Sequence, residues 1–96
     1  MYWQKEQSVG DVLQKLIEDW GLKDRMERAR IIEAWAILAG PHINAVTEDV
    51  RVYDRKLYVH LTSAPWRNEL HLRRMEWCKR LNEELGEAKI QEIIFR

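Results

Sequence analysis

Cysteine occurs only once in these 96 residues, so no internal disulfide can form and packing alone must hold the fold. Two prolines and four glycines leave few breakers, and no repeat, linker or low-complexity tail interrupts the chain. Net charge is also missing. Sixteen acidic and sixteen basic residues cancel, so no global field argues for a nucleic-acid or acidic partner, and any charge effect must come from local clustering. There is no apolar run long enough to cross a bilayer and no signal-peptide pattern, which predicts a soluble, cytoplasmic protein with no membrane partner. His42, His60 and His71 share no metal-ligand spacing with Cys78 or with one another. No nucleophile or phosphate loop accompanies them, so we expect no metal, no cofactor, no catalytic residue and no enzyme.

What the chain has in quantity is large apolar anchors, including five tryptophans. A chain of this length buries roughly 60 to 70% of its unfolded surface, enough for one core. We therefore expect residues 8–96 to form a single domain, preceded by an arm of residues 1–7 that shows no period.

The organising stretch is Leu57 to Leu85. Leu57, Val59 and Leu61 alternate with polar or amphipathic residues at a period of two, the pattern of a strand with one buried face. Ser63-Ala64-Pro65 stops that strand and caps a helix, since proline is tolerated in a first helical turn but cannot join a sheet ladder. The helical pattern then runs unbroken to Leu85-Gly86, with Trp66, Leu70, Trp77, Cys78, Leu81 and Leu85 as its core stripe. Such a helix is longer than its strands, so its overhang is expected to be a partner surface.

Upstream, Ser8 reads as the cap of an amphipathic helix from Val9 to Trp20, whose face is Val9, Val12, Leu13, Leu16, Ile17 and Trp20, with Gly21 as its left-handed end. Asp24 and Glu27 have capping-box spacing and predict a second helix. Its face is Ile31, Ile32, Trp35, Leu38 and Ala39, and Gly40-Pro41 predict a kink before one more turn carrying Ile43 and Val46. Val50 and Val52 begin a hairpin with the Leu57 strand. Placing both valines on the buried face sets Val52 opposite Leu57, Val50 opposite Val59, Tyr53 opposite Lys56, Arg51 opposite Tyr58 and Asp49 opposite His60. Without glycine, the turn at Asp54-Arg55 is expected to be a four-residue loop. Lys89 to Arg96 reads as a third strand with Ile93 and Phe95 inward, lying beside either of the other two. The expected class is α+β in the order α-α-β-β-α-β, with a three-stranded sheet covered on one face by helices.

With these motifs in place, the sequence resembles the DciA family of bacterial replicative helicase loaders over about Val9 to Arg96. The carriers are Trp35 with Gly40, Thr47, Leu57-Tyr58-Val59, Ser63 with Trp66 and Glu69-Leu70, Leu81-Asn82 with Leu85-Gly86, and the ending Ile90, Ile93, Phe95-Arg96. The resemblance implies a KH-like domain that delivers the replicative helicase to DNA through protein contacts, without catalysis. Gly40-Pro41-His42-Ile43 keeps only the first glycine of the GXXG loop with which KH domains clamp nucleic acid.

Three surfaces follow. Leu72 and Met75 point away from the core stripe and, with Arg73 and Lys79, predict a contact for the helicase or for a second copy of the chain. The basic set Arg67, Arg73, Arg74, Lys79 and Arg80 reads either as a solvated face or, with the amides at the Ser63 helix start, as a strip for phosphates of single-stranded DNA. Arg51, Tyr53 and Tyr58, with His60, lie on the sheet's outer face as cross-strand stabilisers or a stacking platform. A nucleic-acid-binding adaptor for RNA or single-stranded DNA is thus the alternative to the helicase loader. A homodimer through an uncovered sheet edge is a further partnership in view.

Overall fold

The computed structural model describes residues 9–96. The expected arm of residues 1–7 and the Ser8 cap lie outside the described residues. The elements are α1 (Val9–Ala45), β1 (Thr47–Tyr53), β2 (Lys56–Leu61), α2 (Ala64–Leu72), α3 (Arg74–Leu85) and β3 (Glu92–Phe95). Helices cover one face of a mixed sheet ordered β1-β2-β3, with β1 and β2 antiparallel and β2 and β3 parallel. The α+β class and the sheet's place in it stand as expected.

The hairpin register agrees with the expectation at every pair, Val52 with Leu57 through Asp49 with His60. One buried face demands this, because a slip by one residue would turn Leu57, Val59 and Leu61 into water. Ile93 and Phe95 align with Leu57 and Val59, so alternate residues of all three strands feed one core. At its centre Trp35, fully buried, meets Trp77 edge-on at 5.5 Å and Phe95 at 5.7 Å. Leu70, Leu81 and Leu85 are buried, while Trp66, Trp77 and Cys78 are half-buried against the same cluster.

Five expectations need correction. The two upstream helices are one, running through Gly21 and Asp24 and leaving ordinary helical geometry only at Gly40 (φ 80°, ψ 176°). The apolar runs on either side of Gly21 share one helical face. A continuous helix therefore aligns them, and a single interior glycine costs only about 1 kcal/mol. Asp24 and Glu27 are consequently not a capping box. Asp24 pairs with Arg28, and Glu27 with Arg30 and Lys89.

The second correction concerns the stretch from Ser63 to Leu85, which is two helices bent at Arg73 (φ −108°, ψ 22°). A straight helix of that length would run to about 33 Å against strands of about 20 Å. The bend brings both Leu70 and Leu81 onto the sheet.

Third, the hairpin turns in two residues, Asp54 and Arg55, both at positive φ (50° and 62°), instead of four. Arg55 donates to the carbonyls of Ala88 and Lys89 at 2.9 and 3.2 Å, and its own carbonyl accepts from Gln91 N at 2.8 Å. These bonds offset the strain of the left-handed conformation. Fourth, the last strand is shorter than expected, because Lys89 and Ile90 are held by Asn82. Its Oδ1 accepts from both backbone amides at 3.1 and 2.9 Å, and its Nδ2 donates to the Ile90 carbonyl at 2.8 Å.

The overhang lies elsewhere than expected. Every residue from 9 to 26 is exposed, and the described residues measure 64 × 24 × 20 Å with a radius of gyration of 18.5 Å. A compact chain of this length would have a radius near 12.5 Å. The arm of α1 makes the difference. It leaves the body at a charged collar, where Arg30 bridges Glu27 (3.1 Å) and Glu87 (2.9 Å) and Lys89 approaches both carboxylates at 3.4 and 3.8 Å.

Candidate interaction surfaces

Leu72 and Met75 flank the bend at Arg73 and are 77% and 81% exposed. Met75 and Lys79 also line a shallow groove of about 770 Å³ that continues past Cys78 and Asn82 to Ile90. The Cys78 thiol donates to the Ile90 carbonyl at 3.3 Å, and burial, with Glu92 adding to it, pushes its pKa up. A thiol kept protonated and hydrogen-bonded is a poor nucleophile. Arg73 leans back on Glu69 at 3.4 Å.

Of the expected basic strip, Arg73, Arg74, Lys79 and Arg80 are exposed. Arg67 turns inward, donating to the Leu61 carbonyl at 3.1 Å, with its Nε buried and without an acceptor. Arg74 donates to the His71 carbonyl at 2.9 Å, and the cation resting on Trp77 (4.7 Å) is Arg80. At the start of α2, Ser63 Oγ accepts from Trp66 N at 3.4 Å and the Ser63 carbonyl from Arg67 N at 3.0 Å. Those amides are already partly used by the chain itself.

On the outer sheet face Arg51, Tyr53 and Tyr58 do gather, joined by Arg96, whose guanidinium lies 4.9 Å from the Tyr58 ring centroid. Arg96, which carries part of the family resemblance, is not among the contact residues expected from the sequence. Its place depends on β3 lying beside β2, which residue patterns left open. His60 faces Asp49 in register, but the carboxylate nearest its ring is Glu48 at 3.7 Å, while Asp49 accepts from Arg51 at 2.7 Å. Backbone irregularity between Thr47 and Asp49 produces that exchange.

A fourth surface is the apolar face of the α1 arm. Val9, Val12, Leu13, Leu16, Ile17 and Trp20 are all exposed, Trp20 at 62%. Expected to be core, they are covered by nothing among the described residues.

Among the described residues no cluster of three or more His, Cys, Asp or Glu side chains fits a metal, and no helix is long and apolar enough to cross a membrane. A small α+β body with exposed apolar elbows and a projecting helix is the build of an interaction domain. Residues 8–95 match the family described as "Dna[CI] antecedent, DciA", and the chain belongs to that family. Membership assigns it a role related to replicative helicase loading in DNA replication, in a family not known for enzymes. No curated protein and no solved structure matches the chain.

Proposed function

We propose that residues 8–96 act in the cytosol as one non-enzymatic adaptor domain that recruits the replicative helicase through the elbow formed by Leu72, Arg73, Met75 and Lys79. The reading is carried by Leu72 and Met75, two large apolar side chains left in water beside cations at a helix bend. Exposed methionine adapts to a partner's shape, and a neighbouring cation fixes orientation. Changing Leu72 and Met75 together to glutamate is expected to abolish capture of the replicative helicase in a pull-down and to leave the thermal midpoint unchanged. Capture at the wild-type level removes the elbow from the interface.

A second reading, weak contact with single-stranded DNA or RNA, is favoured by the Arg96–Tyr58 stack beside exposed Tyr53 and Arg51. Bases stack on such rings, and arginines meet phosphates. A separate phosphate contact from the helices, which lie on the sheet's other face, would use Arg74 and Arg80, and Arg67 less, being turned inward. Titration with single-stranded DNA at two salt concentrations decides between the classes, since phosphate contacts weaken steeply with salt. Binding that is absent or indifferent to salt leaves the protein-only adaptor.

A further inference from the structure

The sheet has a second face, made by the residues that alternate with Leu57, Val59, Ile93 and Phe95. On it Arg51 stands opposite Tyr58 and Tyr53 opposite Lys56, which sets the two tyrosines on a diagonal about 7 to 8 Å apart. Arg96 joins them from the β3 side. Its amide donates to the Val59 carbonyl at 2.9 Å and its carbonyl accepts from Leu61 N at 2.6 Å, which holds its backbone against β2. Together with Val52, these four side chains line a concavity of about 460 Å³, and among the described residues no carboxylate lines it.

The two rings are not equivalent. Tyr58 is half-buried, and the Arg96 guanidinium already lies over it at 4.9 Å. Tyr53 is 74% exposed, and among the described residues no ring or cation stacks on it. The two arginines differ as well. Arg51 is held by Asp49 at 2.7 Å, whereas no ion pair among the described residues engages Arg96. An open ring beside an unneutralised guanidinium suits a ligand with a flat base and an anionic linkage next to it, and a nucleotide in a single strand offers both. A duplex keeps its base faces stacked inside, and a phosphorylated peptide has the anion without the base.

We propose that this concavity binds one nucleotide of a single-stranded nucleic acid, with the base stacked on Tyr53 and the phosphate held by Arg96. Tyr58 is a positioning residue, acting through the guanidinium that rests on its ring. The site rests on the single-strand reading given above and assigns that contact to the open sheet face, apart from the helices.

Anisotropy titrations of the full chain with a labelled oligothymidylate, and with an abasic strand of equal length, test it at two salt concentrations. The wild type is expected to prefer the thymidine strand by about tenfold, the effect of one stacked base. Tyr53→Leu is expected to erase that preference and to leave the salt dependence unchanged. Arg96→Gln is expected to weaken binding of both strands and to lower the slope of log affinity against log salt by about 0.7, the share of one phosphate. Tyr58→Leu is expected to repeat the Arg96→Gln result, and Tyr58→Phe, which keeps the ring, to bind as wild type. Tyr53 and Arg96 are exposed, so their variants are expected to keep the wild-type thermal midpoint. A wild type that binds neither strand overturns the single-strand reading and this site with it. Binding that survives Tyr53→Leu and Arg96→Gln but disappears with Arg74→Gln and Arg80→Gln together keeps that reading, puts the strand on the helices and overturns this site alone.

Discussion

The two parts of α1 carry the same apolar stripe, on the same face of one helix, and meet opposite fates. Trp35 is fully buried, while Trp20, about four turns earlier, stands 62% exposed. Amphipathic pattern is a local property; burial depends on how much sheet the rest of the chain can supply. The straight part of α1, up to its kink at Gly40, extends about 46 Å, against roughly 20 Å for the strands. The sheet therefore covers one part and leaves the other. The argument that a long helix outruns its sheet is sound, but it applies to the first helix, whereas the later one bends at Arg73 to stay on the body.

The sharpest way to break this contrast is to truncate the two tryptophans. Trp35→Ala is expected to cost about 3 to 5 kcal/mol, enough to unfold most of the population of a small domain. Trp20→Ala, measured by denaturant titration in dilute solution, is expected to fall within about 0.5 kcal/mol of wild type. Comparable losses would mean that the arm is covered in the monomer.

Two glycines on the same helix give the next test. At Gly40, φ 80° and ψ 176° lie in a region reserved almost wholly for glycine, so Gly40→Ala is expected to destabilise by about 1 to 3 kcal/mol. Gly21 is ordinary helix with open space where a Cβ would sit, and Gly21→Ala is expected to raise helical content, stabilising the arm by about 1 kcal/mol. Circular dichroism with thermal melts reads both signs.

The smallest effect is expected at the collar. The hydrogen bond from Arg30, working against partial burial and aided by Lys89, holds the Glu27 carboxyl below its ordinary value. A depressed carboxylate contributes stability above its unfolded value, near pH 4.3, and loses it as pH falls through the lower folded one. Glu27 is partly exposed, so solvent screening limits the contribution to at most about 1 kcal/mol. Glu27→Gln should flatten the acid limb of the stability profile without moving the neutral plateau; an unchanged limb would show that the collar does not fasten the helix.

Much of the body was legible because its signals are local and periodic. Alternation in Val50, Val52, Leu57, Val59 and Leu61 fixed the hairpin register, and the stripe around Trp35 fixed the buried helix face. Gly21 and the Asp24–Glu27 spacing are punctuation that phase overrides: the apolar faces before and after Gly21 coincide, a signal of one helix present in the sequence. The arm's exposure and the Arg96–Tyr58 stack depend on the extent and order of the sheet, which no short stretch encodes. Of the surfaces expected from residue patterns, Leu72 and Met75 stand exposed as their spacing indicated, the tyrosine face gathers, and Arg67 alone turns inward from the basic set.

Hairpin tips are ordinarily where a chain tolerates lengthening, tagging or cutting. The tip at Asp54-Arg55 is an exception, because Arg55 is bonded through both side chain and backbone to the segment that leads into β3. An Asn-Gly replacement there would relax the backbone and at the same stroke unhitch the carboxyl-terminal strand. A label or affinity handle placed at this loop would report on a loosened sheet, and not on the native one.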